Sequence, residues 1–588
     1  VERGDGAMTS RTAGGGVLLA ALLGGLAFGP VFTVVALLLP LVAVLVPVAG
    51  VDLLTSKFPK LVPVRAPLAL VVGAAVGLVV LAVPDVPWSV AARPILDGAL
   101  HGWLHTLEST FPARPDAALI AFVPLLALLA GVIGLEWLRR GFAPLVTLIP
   151  SLAVVGLAQV FRAASGAQAV ALAGGYAVAA GIVLAAGHRS SSARWTGRRL
   201  VDVVVLVVPV ALVAGLGAWG LAAADPLHVP AYSVHDRFEL AAVPAGAVSP
   251  LAEIGGRLDQ PDKVVFTATT EAPVDRWPLI VLDGFDGAGW TSSAAYRPLG
   301  LALDPDPAIT VAEQSFAADI ILGAAADGPW LPSQFRTLSV DGLRPAVDPT
   351  TGTLLDADRG GATSYTLHWQ APQPARNELV GAGIDQTAAG SVQVGDLPAG
   401  VVKLAQKAVG SAPPSFAAAL KLEGWFKAND YKIATGDELP TGSGSAQLLD
   451  FLDRSKRGTS EQFAAAYVLM ARSVGIPARL VVGFRQPKQE ANGDYVVRNA
   501  NAFAWPEVAV TGVGWVPLDP TGGVQENPKN SPPTTQATDA ARQQAQQGVL
   551  PVPQQASAAP AAVPAPASSP DGPWTPVLVA GVVLLGAL

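Results

Sequence analysis

The run Arg457-Gly458-Thr459-Ser460-Glu461-Gln462-Phe463-Ala464, continuing to Gly475-Ile476-Pro477-Ala478-Arg479, decides the fold of this chain. Phe463, Tyr467 and Met470 recur at helical spacing, which predicts a helix from Ser460 to about Ser473. Thr459 with Gln462, or Ser460 itself, can satisfy the amides at its start in the manner of a capping box. Gly475 and Pro477 stop it. Strands are then expected at Ala478–Phe484, Tyr495–Asn499, Phe503–Val510 and Gly514–Leu518. Upstream, Phe416, Ala419, Leu422 and Phe426 mark an earlier helix capped by Ser415. Helices packed on an antiparallel sheet give an α+β core over residues 397–523. Phe463, Tyr467 and Met470 are expected to face the sheet that carries Phe503 and Trp505.

Outward from that core the pattern changes twice. Residues 225–396 hold short alternating segments, Val264–Thr269, Pro278–Leu282 and Tyr365–Trp369, with Asp283-Gly284 and Asp286-Gly287 as turns. This reads as a β-sandwich-like domain without a catalytic group. Residues 524–573 are rich in Pro, Gln, Ala and Ser and lack hydrophobic periodicity, so a disordered linker is expected. Residues 574–588 form an apolar run behind Trp574, read as a transmembrane helix cut short in a piece of a longer protein.

The first 224 residues are a membrane domain. Hydrophobic residues make up 51% of the chain and charged ones 14%, and the apolar excess is concentrated here. Seven spans are expected, at Gly14–Phe28, Val31–Leu54, Ala66–Val83, Ala117–Leu138, Ala143–Phe161, Gln168–Gly187 and Leu200–Ala224. A cleaved signal peptide is the rival reading of the first. Lys57, Lys60 and Arg65, then Arg139 and Arg140, then Arg189, Arg194, Arg198 and Arg199 fall in alternate loops. That bias places the N-terminus inside and residues 225–573 outside a bacterial plasma membrane. Asp52, Glu136 and Asp202 sit near span ends rather than at mid-depth, which argues against an ion pathway.

A net charge of −7 gives no support to nucleic-acid binding, which needs a basic face, and the complete absence of cysteine excludes disulfides, thiolate metal sites and thiol catalysis. No cofactor is implied. His101 and His105 have the spacing of a metal pair, but an amphipathic interfacial helix with Trp88 and Trp103 as anchors is the plainer reading, and no metal is expected.

The motif already quoted is followed by Asn501-Ala502-Phe503-Ala504-Trp505-Pro506-Glu507 and Gly514-Trp515-Val516-Pro517-Leu518-Asp519-Pro520-Thr521. Together these resemble the bacterial transglutaminase-like superfamily, specifically the TgpA-type polytopic membrane proteins with a papain-like α+β core. The resemblance implies acyl transfer through a Cys-His-Asp triad, with the thiolate favoured at a helix start. At the cysteine position stands Ser460; at the histidine position, two before Trp505, stands Phe503; Asp519 alone is retained. No histidine follows His368, so Ser460 has no imidazole in the core. Lys456 as a Ser-Lys partner is set against its place in a solvated basic loop with Arg454 and Arg457. Capping by Ser460, core packing by Phe503 and turn stabilisation by Asp519 account for all three residues without chemistry. The expectation is a non-catalytic binding or scaffold protein of the cell envelope, contacting the membrane and an extracytoplasmic peptide, protein or wall component. An active transferase with unorthodox residues and a membrane assembly or transport component are the alternatives.

Overall fold

The computed structural model describes residues 2–82, 88–187, 234–235, 249–356, 363–388, 397, 399–435, 439–522 and 531–546. The chain divides into two compact units, one built on the first 239 residues and one over Leu240–Ala565.

The first unit is helical: α1 (Glu2–Leu26), α2 (Val34–Lys57), α3 (Arg65–Leu81), α4 (Trp88–Leu100), α5 (Gly102–Glu108), α6 (Phe122–Arg139), α7 (Ile149–Phe161) and α8 (Gly166–Gly187). Among the described residues, five stretches are long and apolar enough to cross a bilayer: Val34–Lys57, Lys60–Leu81, Ala117–Arg139, Pro144–Phe161 and Gly166–Ala186. They correspond to the second to sixth expected spans. The first is a shorter apolar helix, Arg11–Leu26, packed along α6, α7 and α8. Small residues let these helices approach closely: a β-carbon on Gly134 would lie 2.8 Å from the Thr147 carbonyl oxygen. Arg139 Nε donates to Asp52 at 2.8 Å, and Arg65 Nη2 lies 2.7 Å from Glu136. These ion pairs bring the first two basic loops to one end of the bundle. The seventh span, Leu200–Ala224, the third basic cluster and the run 574–588 lie outside the described residues. His101 and His105 both contact the Asp97 carboxylate, at 2.9 and 3.4 Å, and no metal-binding group of three or more is gathered among the described residues.

Among the described residues the second unit holds two larger antiparallel sheets, beside a small four-stranded sheet of two-residue strands and two short strand pairs. The strands of the two larger sheets are β1 (Val264–Thr269), β2 (Arg276–Leu282), β3 (Glu313–Leu322), β4 (Thr337–Asp341), β5 (Ser364–Pro372), β6 (Ala478–Arg485), β7 (Tyr495–Arg498), β8 (Ala502–Val510) and β9 (Gly514–Pro517). The five-stranded sheet runs β7-β1-β3-β5-β4, and the four-stranded sheet β9-β8-β6-β2. The expected division at residue 396 is therefore corrected. Strand β2 of the upstream region closes the core sheet, pairing Val281 with Val481, and strand β7 of the core joins the upstream sheet, pairing Val497 with Phe266. One hydrophobic core runs through both. Gly483 makes the β2 join possible, because a β-carbon there would lie 2.0 Å from the Trp277 carbonyl oxygen.

Helices α9 (Pro250–Leu258), α10 (Ala399–Val409), α11 (Phe416–Ala428), α12 (Ser445–Asp450), α13 (Ser460–Ser473) and α14 (Pro533–Gln546) complete the unit. Ser415 Oγ caps α11 by accepting the Ala418 amide at 3.2 Å. Helix α13 packs on β8 and β6 with Phe463, Tyr467 and Met470 buried. They face the sheet that carries Phe503 and Trp505, as expected, and strand periodicity turns those two side chains to its other face. Ala502, Ala504 and Val508 share the core with α13, whereas Phe503 and Trp505 lie on the opposite face with Val281 and Val481. Helix α14 corrects the disordered reading of residues 524–573 over its own length. Ala537 and Ala541 are buried one turn apart, and the helix packs on α11. An alanine stripe in a Gln-rich segment carries almost no hydropathy signal, which is why the sequence hid it.

Candidate functional site

The three residues expected at the triad positions come from three elements: Ser460 opens α13, Phe503 lies near the start of β8, and Asp519 follows β9. Thr459 and Gln462 form the capping box: the Thr459 amide and hydroxyl donate to Gln462 Oε1 at 2.8 and 3.0 Å. Gln462 Nε2 in turn donates to the Gly442 carbonyl at 2.8 Å. Ser460 is buried, and its Oγ accepts the Ala504 amide at 3.1 Å. The serine thus ties the helix start to the strand beneath it. Next to it Glu461 is also buried. Burial raises its carboxyl above the ordinary value, against the lowering effect of hydrogen bonds from Ser443 and Gly442. Its position in the first turn of α13 suits a carboxylate.

The other two positions are wired together by a residue that the motif reading did not single out. Phe503 stacks on Trp505, with ring centroids 6.0 Å apart and planes at 14°. The Arg485 guanidinium lies 3.7 Å above the Phe503 ring, and Arg485 Nη2 donates to Asp519 Oδ2 at 2.7 Å and to Thr521 Oγ1 at 3.3 Å. The second Asp519 oxygen accepts the Thr521 amide at 3.0 Å and the Thr521 hydroxyl. The Asp519 amide donates to Glu423 at 2.7 Å, and Arg542 of α14 clasps Glu423 at 2.9 and 3.0 Å. Both Asp519 carboxylate oxygens are therefore committed, one to the Arg485 guanidinium and the other to Thr521. Burial lowers the Arg485 pKa and Asp519 opposes that; a guanidinium has no acceptor and stays charged in proteins, so it takes no proton from Ser460. Arg485 was findable: residues 481, 483 and 485 share the face of β6 that pairs alongside Phe503 and Trp505. Glu423 and Arg542 carried no sequence signal, being 119 residues apart.

Other candidate bases are engaged elsewhere. Lys456 Nζ donates to the Asn429 carbonyl at 3.1 Å and lies over the Tyr431 ring, so it does not serve Ser460. His368 sits in β5, in the other sheet, 3.1 Å from Asp341.

An α13-type helix on an antiparallel sheet, with a nucleophile position at its start and an aspartate after the last strand, defines a transglutaminase-like core. The profile of the transglutaminase-like superfamily matches residues 402–520. The profile of the TgpA N-terminal domain matches residues 19–376, over half of the chain, and the chain belongs to the TgpA family of transglutaminase-like membrane proteins. It is 40% identical over 78 residues to an uncharacterized protein, YebA, of Bacillus subtilis, covering 12% of this chain and 11% of that protein. It is 34% identical over 83 residues to a protein-glutamine gamma-glutamyltransferase of Pseudomonas aeruginosa, covering 14% and 12%. The chain thus spans about an eighth of the length of these curated relatives. The crystal structure of the periplasmic domain of TgpA from Pseudomonas aeruginosa matches at 20% identity with a TM-score of 0.37, covering 52% of this chain and 99% of that one. That score adds no weight to the assignment.

Proposed function

We propose that this protein is a non-catalytic member of its family, a multi-pass protein of the bacterial plasma membrane. Its transglutaminase-like unit faces outward and binds a peptide, protein or wall component. The observation that carries this reading is the Arg485 bridge. The residue at the base position is a phenyl ring, and the surviving aspartate is held by a guanidinium that stacks on that ring. Ser460, whose hydroxyl needs a base to become a nucleophile, instead accepts a backbone amide. Triad groups act as a unit, so losing two removes nearly all of the rate rather than a part of it.

The purified chain is to be assayed for amine incorporation into glutamine substrates and for peptide hydrolysis, beside Ser460→Ala. No turnover is expected from either. Turnover by the wild type that Ser460→Ala abolishes would overturn the reading. Ser460→Cys with Phe503→His is expected to stay inert while Arg485 holds Asp519, and adding Arg485→Gln is the step that frees the aspartate for an imidazole. The orientation has its own test: reporter fusions at Arg194 and at Gly512 should fall on opposite sides of the membrane. The same side for both would sink the outward placement.

A further inference from the structure

Beside the start of α13, on the side of the loop that precedes α12, lies an open pocket of about 360 Å³. One wall is Gly442, held to the helix by the Gln462 carboxamide and carrying no side chain at a φ of 89°. That left-handed backbone favours glycine at this position. The floor is Phe451, whose ring is fixed edge-on against Phe463 at 5.0 Å and Tyr431 at 5.2 Å. Gln447 brings a carboxamide able both to donate and to accept. Two opposite charges complete the lining, Asp450 and Arg457, and both are exposed.

Neither of these charges makes an ion pair, with each other or with another described residue. Elsewhere in the unit Arg257, Arg479, Arg485 and Arg542 each hold a carboxylate at 2.7–2.9 Å. An unpaired acid and an unpaired base lining one pocket are available to a ligand that carries both signs. A pocket of this size lies within the range that holds small ligands, and it has room for two or three residues of peptide.

We propose that this pocket is the recognition site for a short peptide segment bearing one acidic and one basic side chain. The acid meets Arg457, the base meets Asp450, and the intervening peptide group meets Gln447 above the Phe451 floor. The proposal rests on the non-catalytic binding reading and gives it a site and a ligand class.

The test uses the full chain in detergent micelles and calorimetric titration with blocked lysyl-alanyl-glutamate, beside blocked trialanine. The charged peptide should bind and the trialanine should not. Asp450→Lys and Arg457→Glu should each weaken binding by at least about tenfold, as close charge pairs do when one partner is reversed. The double reversal should recover binding to the peptide of opposite order, glutamyl-alanyl-lysine. Both side chains lie on the surface, and unchanged thermal unfolding of the variants certifies that the fold is intact. No binding to the charged peptide, equal binding to trialanine, or binding indifferent to both single reversals would overturn the proposal. Those outcomes leave the catalytic question untouched, since peptide turnover by the wild type is what sinks the non-catalytic reading.

Discussion

The two faces of strand β8 are made by different rules. Toward α13 the strand presents Ala502, Ala504 and Val508, small and apolar, and the helix lies close upon them. On the other face Phe503, Trp505 and Glu507 are large, and each is met by an arginine. Arg485 covers Phe503 at 3.7 Å, Arg276 covers Trp505 at 5.5 Å, and Arg479 holds Glu507 at 2.8 Å. The Trp505 indole adds a hydrogen bond to Glu507 at 3.1 Å. The helix is thus positioned on one face while Phe503 belongs to the other. A change of side chain at position 503 therefore leaves the packing that fixes α13 untouched.

The sharpest way to break this comparison is at Trp505. Trp505→Ala should cost about 3–5 kcal/mol, because a fully buried indole leaves a cavity and removes one of the donors to the Glu507 carboxylate. Urea denaturation followed by circular dichroism reads it, and a change near zero would show that the arginine face contributes nothing to stability. Next comes Arg485→Ala. It uncovers Phe503 and leaves Asp519 without its cation, for a loss of about 1–3 kcal/mol in the same measurement. A loss as large as that of Trp505→Ala would mean that the bridge, rather than the ring cluster, holds this face. On the helix side, Thr459→Ala removes one half of the capping box and should cost about 1 kcal/mol.

The smallest effect has the opposite sign. Burial raises the Glu461 carboxyl above its ordinary 4.5, so the folded state binds that proton more tightly than the unfolded chain. Its contribution to stability is full below pH 4.5 and is lost as pH rises through the folded-state value. Glu461→Gln keeps an acceptor for Ser443 and Gly442 without the buried charge. It should raise the melting temperature at pH 7, with the gain vanishing by pH 4. A variant less stable than wild type at pH 7 would show that the carboxylate is needed charged at the helix start.

Much of this was legible before any coordinates. The strand Val264–Thr269 and the helix Ser460–Ser473 are found where spacing and turn residues put them. The capping box is present as read from Thr459 and Gln462. Those are local properties, written in neighbouring residues. Arg485, Glu423 and Arg542 were illegible as a unit, because their meaning lies in partners 34 and 119 residues away. Strand β2 likewise gave no hint of its partner: an apolar run announces a buried strand without saying in which sheet it is buried.

The exchange of strands β2 and β7 has a practical corollary. Residues 397–523 look like a domain that could be cut out, cloned and transplanted. A fragment beginning there would leave behind the strand that covers β6, exposing an apolar edge ready to pair with another copy, while its own β7 would have no sheet to join. The two regions are therefore one piece of inheritance. Any recombination event, protease or expression vector that separates them yields sticky halves, and the smallest portable part of this protein outside its helical unit begins upstream of Val264.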